Sequence, residues 1–551
     1  MQEKQAGFKK LFEVLKLENK EISAIYFYAI LSGLIQLSLP LGIQAILGFV
    51  LGATMVTSVY LLIFIIILSV LIMGYMQINQ MKIIEKIQQK IFVKYAFAFS
   101  ETIPNFDLKY VDKYYLPEKI NRFFDTINIQ KAISKILIEI PLSSIQILLG
   151  LILLCLYHPF FIIFSVTLLL VIFLLFYFTG KKGLATSIEE SDYKYKVVAW
   201  LQEIGRVIKS FKYSQGTNIN LIKTDENLLN YLNARTSHFH VLLFQYKSLV
   251  FFKVFITALI LILGSYLLFE QKINIGQFVA VEIIIITITN SLEKLIVSLE
   301  HIYDIVTGFY KLDSVLENKL EEDGTIELEL NQIKIELKEV GFSYLENQKI
   351  FNSISFSVEP NSITCISGEE NSGKSTLLKL ISGEYKTFTG SITINNIPLK
   401  NYTLKSLRNN TGIFLYEQDL FQGTLYENIT LGRNNINIKE IMSLIQKIGF
   451  DDFIAFFPDS FDTKILPLGK TLPLSIRKKI ILLRAFIHDP NLLLLESPWT
   501  GLDEESRENI QNHLLELSKT KTIIITSNNI NFAKKCTQNI YLKDGLATSK
   551  N

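Results

Sequence analysis

The stretch "SITCISGEENSGKSTLLKLISG", Ser362–Gly383, decides the fold of the second half of the chain. Its first six residues are typical of a buried strand, and "LLKLISG" is typical of a helix that stops at Gly383. Between them, "GEENSGKST" matches the pattern G-x-x-x-x-G-K-[ST], in the strand–loop–helix context that the pattern requires. The sequence therefore predicts a P-loop α/β domain that binds a nucleotide.

The residue types in this loop are those that phosphate binding requires. Gly368 and Gly373 allow the backbone to curl, so that its N–H groups and the helix N-terminus face phosphate oxygens. Lys374 is predicted to reach the outer phosphates, and the Ser375 hydroxyl is a candidate ligand of Mg²⁺. The nucleotide-binding residues predicted in this loop are Gly368, Glu369, Glu370, Asn371, Ser372, Gly373, Lys374, Ser375 and Thr376.

Composition divides the chain of 551 residues into two halves. Hydrophobic residues make up 49% and charged residues only 19%, with a mean hydropathy of +0.31. Nearly all long apolar runs lie in the first half, so we expect a membrane domain over 1–316, a linker over 317–330 and the nucleotide-binding domain over 331–551. The net charge of +3 is not gathered on a basic module, and no nucleic-acid partner is expected.

Six apolar runs are long enough to cross a bilayer as helices, which requires about 20 residues each. They are Ile22–Phe49, Ser58–Ile78, Ile133–Tyr157, Phe160–Phe178, Val241–Leu268 and Ile275–Leu299. Short links join the first run to the second, the third to the fourth and the fifth to the sixth. The two long links contain many residues that favour helices, so we expect the spans to continue into the cytoplasm.

The distribution of basic residues predicts the orientation in the membrane. The long links carry fifteen of them, namely Lys82, Lys86, Lys90, Lys94, Lys109, Lys113, Lys119, Arg122, Lys181, Lys182, Lys194, Lys196, Arg206, Lys209 and Lys212. The short links carry almost nothing but Lys272. Because basic residues mark the cytoplasmic side, both long links and both termini are predicted to be cytoplasmic in a plasma (inner) membrane protein. Near the N-terminus, apolar residues at helical spacing among lysines predict an amphipathic helix on the lipid surface.

The carboxylate of Glu282 lies within the last apolar run. Glu282, in "FVAVEIIIITITN", either contacts a substrate or proton, or is paired or snorkels near the outer surface. Polar residues within the spans, among them Gln36, Gln44 and Gln146, are interpreted as contacts between helices.

The stretch "LLLLESPWTGLD", Leu492–Asp503, bears on the chemistry. Four leucines predict a buried strand, and Glu496 follows where an acidic residue can hold magnesium. A nucleotide hydrolase usually carries a second acid next, to activate water, but the next residue here is Ser497.

Further motifs follow in a familiar order: "GFSY" ending at Tyr344, then the P-loop, "LFQGTLYENI", "TGLD" and "YLKDG". With six spans and two long cytoplasmic links before them, the chain resembles a type I ABC exporter half-transporter, with the membrane half most similar to the peptide- and protein-secreting branch. The resemblance implies that Tyr344 stacks on adenine, that ATP and Mg²⁺ are the cofactors and that Asp503 contacts a paired domain. It also implies coupling segments near "YYLPEKINRFF" and "YSQGTN".

The hydrolytic motifs depart from that family. The family's Asp is Glu496, its catalytic Glu is Ser497, its Gln is Tyr416 (with Gln418 two residues away) and its switch His is Ser527. Its LSGGQ signature is "LPLSI", Leu472–Ile476. Losing a general base alone typically costs about 10²–10⁴ in rate. We therefore expect ATP binding with poor or absent hydrolysis, and no confident catalytic residue.

The resemblance implies that one chain is half of a dimer, with a second copy or with another half-transporter. A periplasmic adaptor is a further partner to expect. The alternative is a membrane protein that transports nothing and uses ATP binding to regulate or assemble a partner complex.

Overall fold

The computed structural model describes residues 18–52, 57–157, 159–214, 216–328, 332–344, 349–433 and 435–549, together with Lys9, Glu13 and Lys16. These residues form two compact units. The first contains Met1–Asn105 and Tyr114–Asn318, and the second contains Phe106–Lys113 and Lys319–Asn551. Most of the predicted amphipathic helix lies outside the described residues.

The first unit consists of long helices. They are α1 Asn19–Gln36, α2 Ser38–Leu51, α3 Thr57–Thr102, α6 Asp125–Tyr157, α7 Phe160–Arg206, α9 Ile219–Phe269 and α10 Ile275–Leu316. Two short helices, α5 Leu116–Ile120 and α8 Ile208–Tyr213, lie in the links, and α4 Leu108–Val111 belongs to the second unit. In the described range, the 3₁₀ turns Ile103–Asn105 and Asn121–Phe124 connect some of these elements.

Five stretches of the described chain are long and apolar enough to cross a membrane. They contain the first, second, third, fifth and sixth predicted runs. The fourth predicted run begins α7, where many side chains lie outside the described residues, so its span stays a prediction. Helices α3 and α9 extend far beyond their apolar runs, which confirms that the spans continue as helices into the links.

The first predicted run is divided between two helices. Helix α1 ends at Gln36 and α2 begins at Ser38, with Leu37 between them. Pro40 explains the break, because its ring clashes with the carbonyl group four residues earlier, that of Gln36, and it has no N–H to donate. The predicted span is thus built from two helices, and Asn19–Leu51 as a whole is long and apolar enough to cross a membrane.

Hydrogen bonds between helices confirm the interpretation of the intramembrane glutamines. The side-chain amide of Gln146 on α6 donates to Gln36 on α1, and its oxygen accepts from the Ser291 hydroxyl on α10 at 2.6 Å. The Tyr157 hydroxyl donates to the Gln44 side chain. Such contacts satisfy polar groups that lipid cannot solvate.

The second unit is an α/β domain with two main sheets. Its strands are β1 Ile335–Ser343, β2 Lys349–Val358, β3 Ile363–Gly368, β4 Thr389–Ile394, β5 Ile397–Pro398, β6 Thr411–Phe414, β7 Gly423–Thr424, β8 Lys464–Ile465, β9 Leu492–Glu496, β10 Thr522–Thr526, β11 Gln538–Lys543 and β12 Leu546–Ser549. Its helices are α11 Lys374–Ile381, α12 Leu404–Asn409, α13 Leu425–Thr430, α14 Ile438–Lys447, α15 Leu474–Phe486, α16 Glu504–Leu517 and α17 Ile530–Ala533. The larger sheet has the order β12-β11-β3-β10-β9-β6, and the antiparallel sheet has the order β2-β1-β4-β5.

The larger sheet is covered on both faces. In β9, Leu493 and Leu495 pack into one hydrophobic cluster, whereas Leu492 and Leu494 pack into the other. A parallel strand buried on both faces needs apolar residues at every position, which explains the run of four leucines. Strands β6, β9, β10, β3 and β11 are parallel, so their carboxyl ends meet at one edge.

Candidate nucleotide-binding site

The carboxyl edge of the larger sheet collects the residues that the sequence singled out. The P-loop follows β3, Tyr416 follows β6, Ser497 follows β9 and Ser527 follows β10. Because ligands of open α/β sheets bind outside the carboxyl ends of the strands, this edge is the candidate nucleotide site.

Both glycines of the P-loop pattern are required by the space around them. A Cβ on Gly368 would lie 2.3 Å from the carbonyl oxygen of Leu542. Gly373 has a left-handed φ of 91°, and a Cβ there would lie 2.5 Å from the ring of Phe351. Gly373 caps the N-terminus of α11, so the loop can present backbone N–H groups toward a phosphate.

The Lys374 ammonium lies across the curled loop. It donates to the carbonyl oxygens of Gly368 at 3.0 Å and Glu369 at 2.5 Å, and to the Ser372 hydroxyl at 3.3 Å. Burial lowers the pKa of Lys374, while the nearby carboxylates of Glu370 and Glu496 oppose that shift. These three neutral acceptors hold the positive charge where phosphate oxygens can replace them.

Glu496 connects the P-loop to the segment after β6. One of its oxygens accepts a hydrogen bond from the Ser375 hydroxyl, and the other accepts from the backbone N–H of Tyr416 at 2.9 Å. The longer side chain of Glu therefore reaches Ser375 from the end of β9. A hydroxyl and a carboxylate are oxygen ligands that Mg²⁺ accepts when phosphates and waters complete its octahedron, so these residues fit the metal.

Three side chains lie at positions where the resemblance leads us to expect hydrolytic residues. The Tyr416 side chain is 77% exposed, and the Lys478 ammonium lies 5.9 Å from the centre of its ring. Ser497 binds the end of β10, because its N–H and hydroxyl donate to the carbonyl oxygen of Thr526 at 3.1 and 3.4 Å. The buried Ser527 hydroxyl accepts the N–H of Asn529 at 3.0 Å. None of the three offers a general base.

Gln418, two residues after Tyr416, forms a hydrogen bond within its own loop. Its side-chain oxygen accepts a hydrogen bond from the backbone N–H of Leu415 at 3.3 Å. It lines a cavity of about 670 Å³ that also contacts Tyr416, Glu496 and Ser497.

The loop at the signature position has neither serine nor glycine where they are expected. Helix α15 begins at Leu474, and the residue before it, Pro473, makes no side-chain hydrogen bond to cap the helix. The Leu474 side chain is about half exposed at this N-terminus.

Asp503 has a structural role within its own chain. Its carboxylate caps α16 by accepting the backbone N–H of Ser506 at 2.7 Å and the Ser506 hydroxyl at 2.8 Å. The backbone hydrogen bond is the main reason why the pKa of Asp503 is lowered. The side chain remains partly exposed, so the predicted contact with a paired domain stays a prediction.

Tyr344 lies beside the P-loop helix. Its hydroxyl is 3.1 Å from the Thr376 hydroxyl, which ends the phosphate loop. The rings of Phe342 and Tyr385 meet Tyr344 edge to face, with centroids 4.9 and 5.4 Å away. A cavity of about 210 Å³ borders Tyr344.

Residues that the sequence interpretation missed also contribute. The side-chain oxygen of Asn528 accepts the N–H of Gly368 at 3.3 Å. Lys379 of α11 forms an ion pair with Glu417 at 2.6 Å, which joins the P-loop helix to the loop of Tyr416. No local motif predicts these contacts, because each joins segments that are far apart in the sequence.

Glu282 lies apart from this site, in the membrane unit. It is partly buried, and one of its carboxylate oxygens is fully buried without a hydrogen-bond partner among the described residues. No ion pair forms with it in the described part of the chain. The expectation of a paired carboxylate is therefore not supported, and its contact with a substrate stays a prediction.

Comparisons with known proteins agree with both halves of the chain. The family model "ABC transporter" matches residues 351–500, and the model "ABC transporter transmembrane region" matches residues 22–292. A "Probable ABC transporter ATP-binding/permease protein" of Haemophilus influenzae is 35% identical over 212 residues, 38% of each chain. An "ATP-dependent lipid A-core flippase" of Legionella pneumophila is 27% identical over 289 residues, 52% of this chain and 49% of that protein. The chain spans about half the length of such curated relatives, or less.

A solved structure is similar over nearly the whole chain. It is a bacterial Atm1-family ABC exporter with ATP bound, with a TM-score of 0.86 over 96% of this chain and 94% of that one. The sequence identity is 16%, so the similarity shows the fold alone.

Proposed function

Because the chain belongs to the ABC transporter family and carries a membrane region and an ATP-binding domain in one polypeptide, we propose that it is half of an exporter that binds ATP and hydrolyses it poorly. It is a multi-pass membrane protein whose nucleotide domain and termini lie in the cytoplasm. A second such domain, from another copy or from a different half-transporter, completes the assembly.

The observation that carries the proposal is the preserved phosphate cradle beside altered hydrolytic positions. Lys374 is held by neutral acceptors of its own loop, and Ser375 donates to Glu496. A domain kept only as a scaffold has no need of either arrangement. We therefore infer that the domain still binds ATP, whether or not it cleaves the bond to the terminal phosphate.

Within this site each residue has a defined task. The loop N–H groups and Lys374 bind phosphate oxygens, Tyr344 stacks on the base, and Ser375 with Glu496 holds Mg²⁺. The metal neutralises charge on the phosphates when it is bound. The side chains at 416, 497 and 527 neither orient water nor accept its proton, so hydrolysis is slow.

The substrate moves outward, away from the side on which ATP binds. The resemblance of the membrane sequence to the peptide- and protein-secreting branch leads us to propose a peptide or protein as the substrate, with a periplasmic adaptor as a partner. Lipid surrounds the membrane unit, where the exposed apolar side chains of α3 face it in the described range.

A second function is supported by the same altered positions. A protein that binds ATP for long periods can regulate or assemble a partner complex without transporting anything. The two functions differ in whether a molecule crosses the membrane when ATP is supplied.

Purified protein in lipid vesicles, with the nucleotide domain outward, distinguishes them. ATP and a mixed peptide digest are added outside, and peptides recovered from the lumen are identified by mass spectrometry over hours. The exporter function predicts a slow, ATP-dependent enrichment of particular peptides that Lys374→Ala abolishes. Nucleotide-dependent binding of a partner, with no enrichment in the lumen, would support the regulatory function instead.

A further inference from the structure

A small cavity beside Tyr344 brings together aromatic and charged side chains. It has a volume of about 210 Å³, and its walls include Lys109, Asp112, Lys113, Phe342, Tyr344 and Tyr385. The aromatic rings come from the nucleotide domain. The charged side chains come from the segment Phe106–Lys113, which belongs to the same compact unit although it is distant in sequence.

This segment is fixed to the domain by its backbone and by side chains, among them Leu108, which packs against the domain's hydrophobic core. Phe106 forms an antiparallel bridge with Leu320, and the Asp107 N–H donates to the carbonyl oxygen of Lys319 at 2.9 Å. The Tyr385 hydroxyl donates to the Asp112 carboxylate, 273 residues away. Burial, with this hydrogen bond, raises the pKa of Tyr385, so the phenol keeps its proton and holds Asp112 as an acceptor at the cavity.

The cavity lies where a base joined to the phosphate loop can be placed. The Tyr344 hydroxyl contacts Thr376 at the end of that loop, and the Tyr344 ring borders the cavity. Its charged lining residues are Lys109, Asp112 and Lys113, one carboxylate and two ammonium groups. That wall can donate a hydrogen bond and accept another at neighbouring points.

The two purine bases differ at the edge that such a wall would contact. Adenine presents an acceptor, N7, beside a donor, the N6 amino group, whereas guanine presents two acceptors, N7 and O6. A lysine can donate to N7 of either base. At this N7 edge a carboxylate can accept only from the amino group of adenine, and it repels O6 of guanine, whose N1–H and N2 donors lie on the other edge.

We propose that Asp112, together with Lys109 and Lys113, contacts the base edge and selects ATP over GTP. The inference rests on the proposed binding of nucleotide at the P-loop and adds a determinant of base specificity. Stacking on Tyr344 alone is nearly indifferent to the base, because every base has a π-face. The selectivity therefore comes from the segment Phe106–Lys113.

Competition binding tests this specificity. Full-length protein in lipid nanodiscs is loaded with a fluorescent ATP analogue, which ATP, GTP and purine riboside triphosphate then displace. For the wild type we expect ATP to bind about tenfold or more tightly than GTP, the size of one good base contact. Purine riboside triphosphate, which lacks the amino group but adds no repulsion, is expected between them.

Substitutions then assign the effect to the carboxylate. Asp112→Asn can donate to O6, so it is expected to bring the ATP:GTP preference to within about threefold of unity, mainly through tighter GTP binding. Lys113→Gln is expected to weaken both nucleotides alike. Asp451→Asn, an exposed carboxylate elsewhere in the domain, is the matched control and leaves the preference unchanged.

Each contrary result has a distinct meaning. Equal binding of ATP and GTP by the wild type, with both lost in Lys374→Ala, would refute base selection and leave the proposed function intact. An equal weakening of both nucleotides in Asp112→Asn would show that Asp112 only anchors the segment. Equal displacement by ATP and purine riboside triphosphate in the wild type would refute the amino-group contact without any substitution. Binding that Lys374→Ala does not change would instead refute the proposed function.

Discussion

Restoring the missing carboxylate by Ser497→Glu is expected to give less than a tenfold gain in ATP hydrolysis by the purified homodimer. A general base is worth about 10²–10⁴ in rate when the rest of the site is in place. The backbone can accept the change, because Ser497 already adopts a φ of 44° and its N–H is held by Thr526 at 3.1 Å. We therefore expect Ser497→Glu to fold normally, and we attribute the small gain in hydrolysis to the other altered groups of the site.

The size of the effect follows from the groups that remain wrong. The Tyr416 side chain is 77% exposed, and the Ser527 hydroxyl is occupied by the N–H of Asn529. The opposing loop begins its helix with Leu474 and has no glycine for close approach. Each missing donor to the reacting phosphate costs about 10²–10³, and groups that act as a unit recover little when only one is restored.

Phosphate release from protein in nanodiscs measures this directly, with Ser497→Gln as the control of equal length and no basicity. Both variants should bind ATP as the wild type does and release phosphate at rates within about tenfold of it. A rise of a hundredfold or more in Ser497→Glu, absent in Ser497→Gln, would show that the other positions are not limiting.

Three further predictions concern topology, the base and pH. A cysteine introduced near Lys272 should react with an impermeant reagent added outside, whereas one near Lys119 should not; external labelling at the latter would overturn the orientation. Tyr344→Ala should weaken ATP binding by about 1–3 kcal/mol and Tyr344→Phe should retain most of it, because stacking needs the ring and not the hydroxyl; equal losses in calorimetry would argue against stacking. Burial raises the pKa of Glu384 to about 7, so its protonated form is favoured in the folded state and stability should fall as pH rises from 4.5, its ordinary pKa, to 7. Glu384→Gln should lessen this fall in thermal unfolding, and an identical pH profile would contradict that assignment.

The parts of the site that the sequence predicted are those whose signals are local. The P-loop lies between a strand and a helix, as Ser362–Gly383 indicated, and the leucines before Glu496 form a strand buried on both faces. The order of residues was enough to predict these elements, because each motif and the strand or helix beside it lie in one continuous segment of the chain.

Other features needed contacts that no local pattern encodes. Asp112 and Tyr385 are 273 positions apart in the sequence and meet only in the folded domain. A coupling segment is predicted near "YYLPEKINRFF", but no local pattern indicated that the neighbouring residues Phe106–Lys113 belong to the nucleotide-binding unit. The break after Gln36 follows from Pro40, a signal that was present but is weak inside a strongly apolar run.

The most direct test of the central claim measures ATP binding and ATP turnover on the same purified sample, beside Lys374→Ala. We predict that the wild type binds ATP with Mg²⁺, that Lys374→Ala loses most of this binding, and that phosphate release by both stays near background. Turnover by the wild type at rates normal for a transporter, abolished by Lys374→Ala, would contradict the account and show that the residues at 416, 497 and 527 do not limit the chemistry.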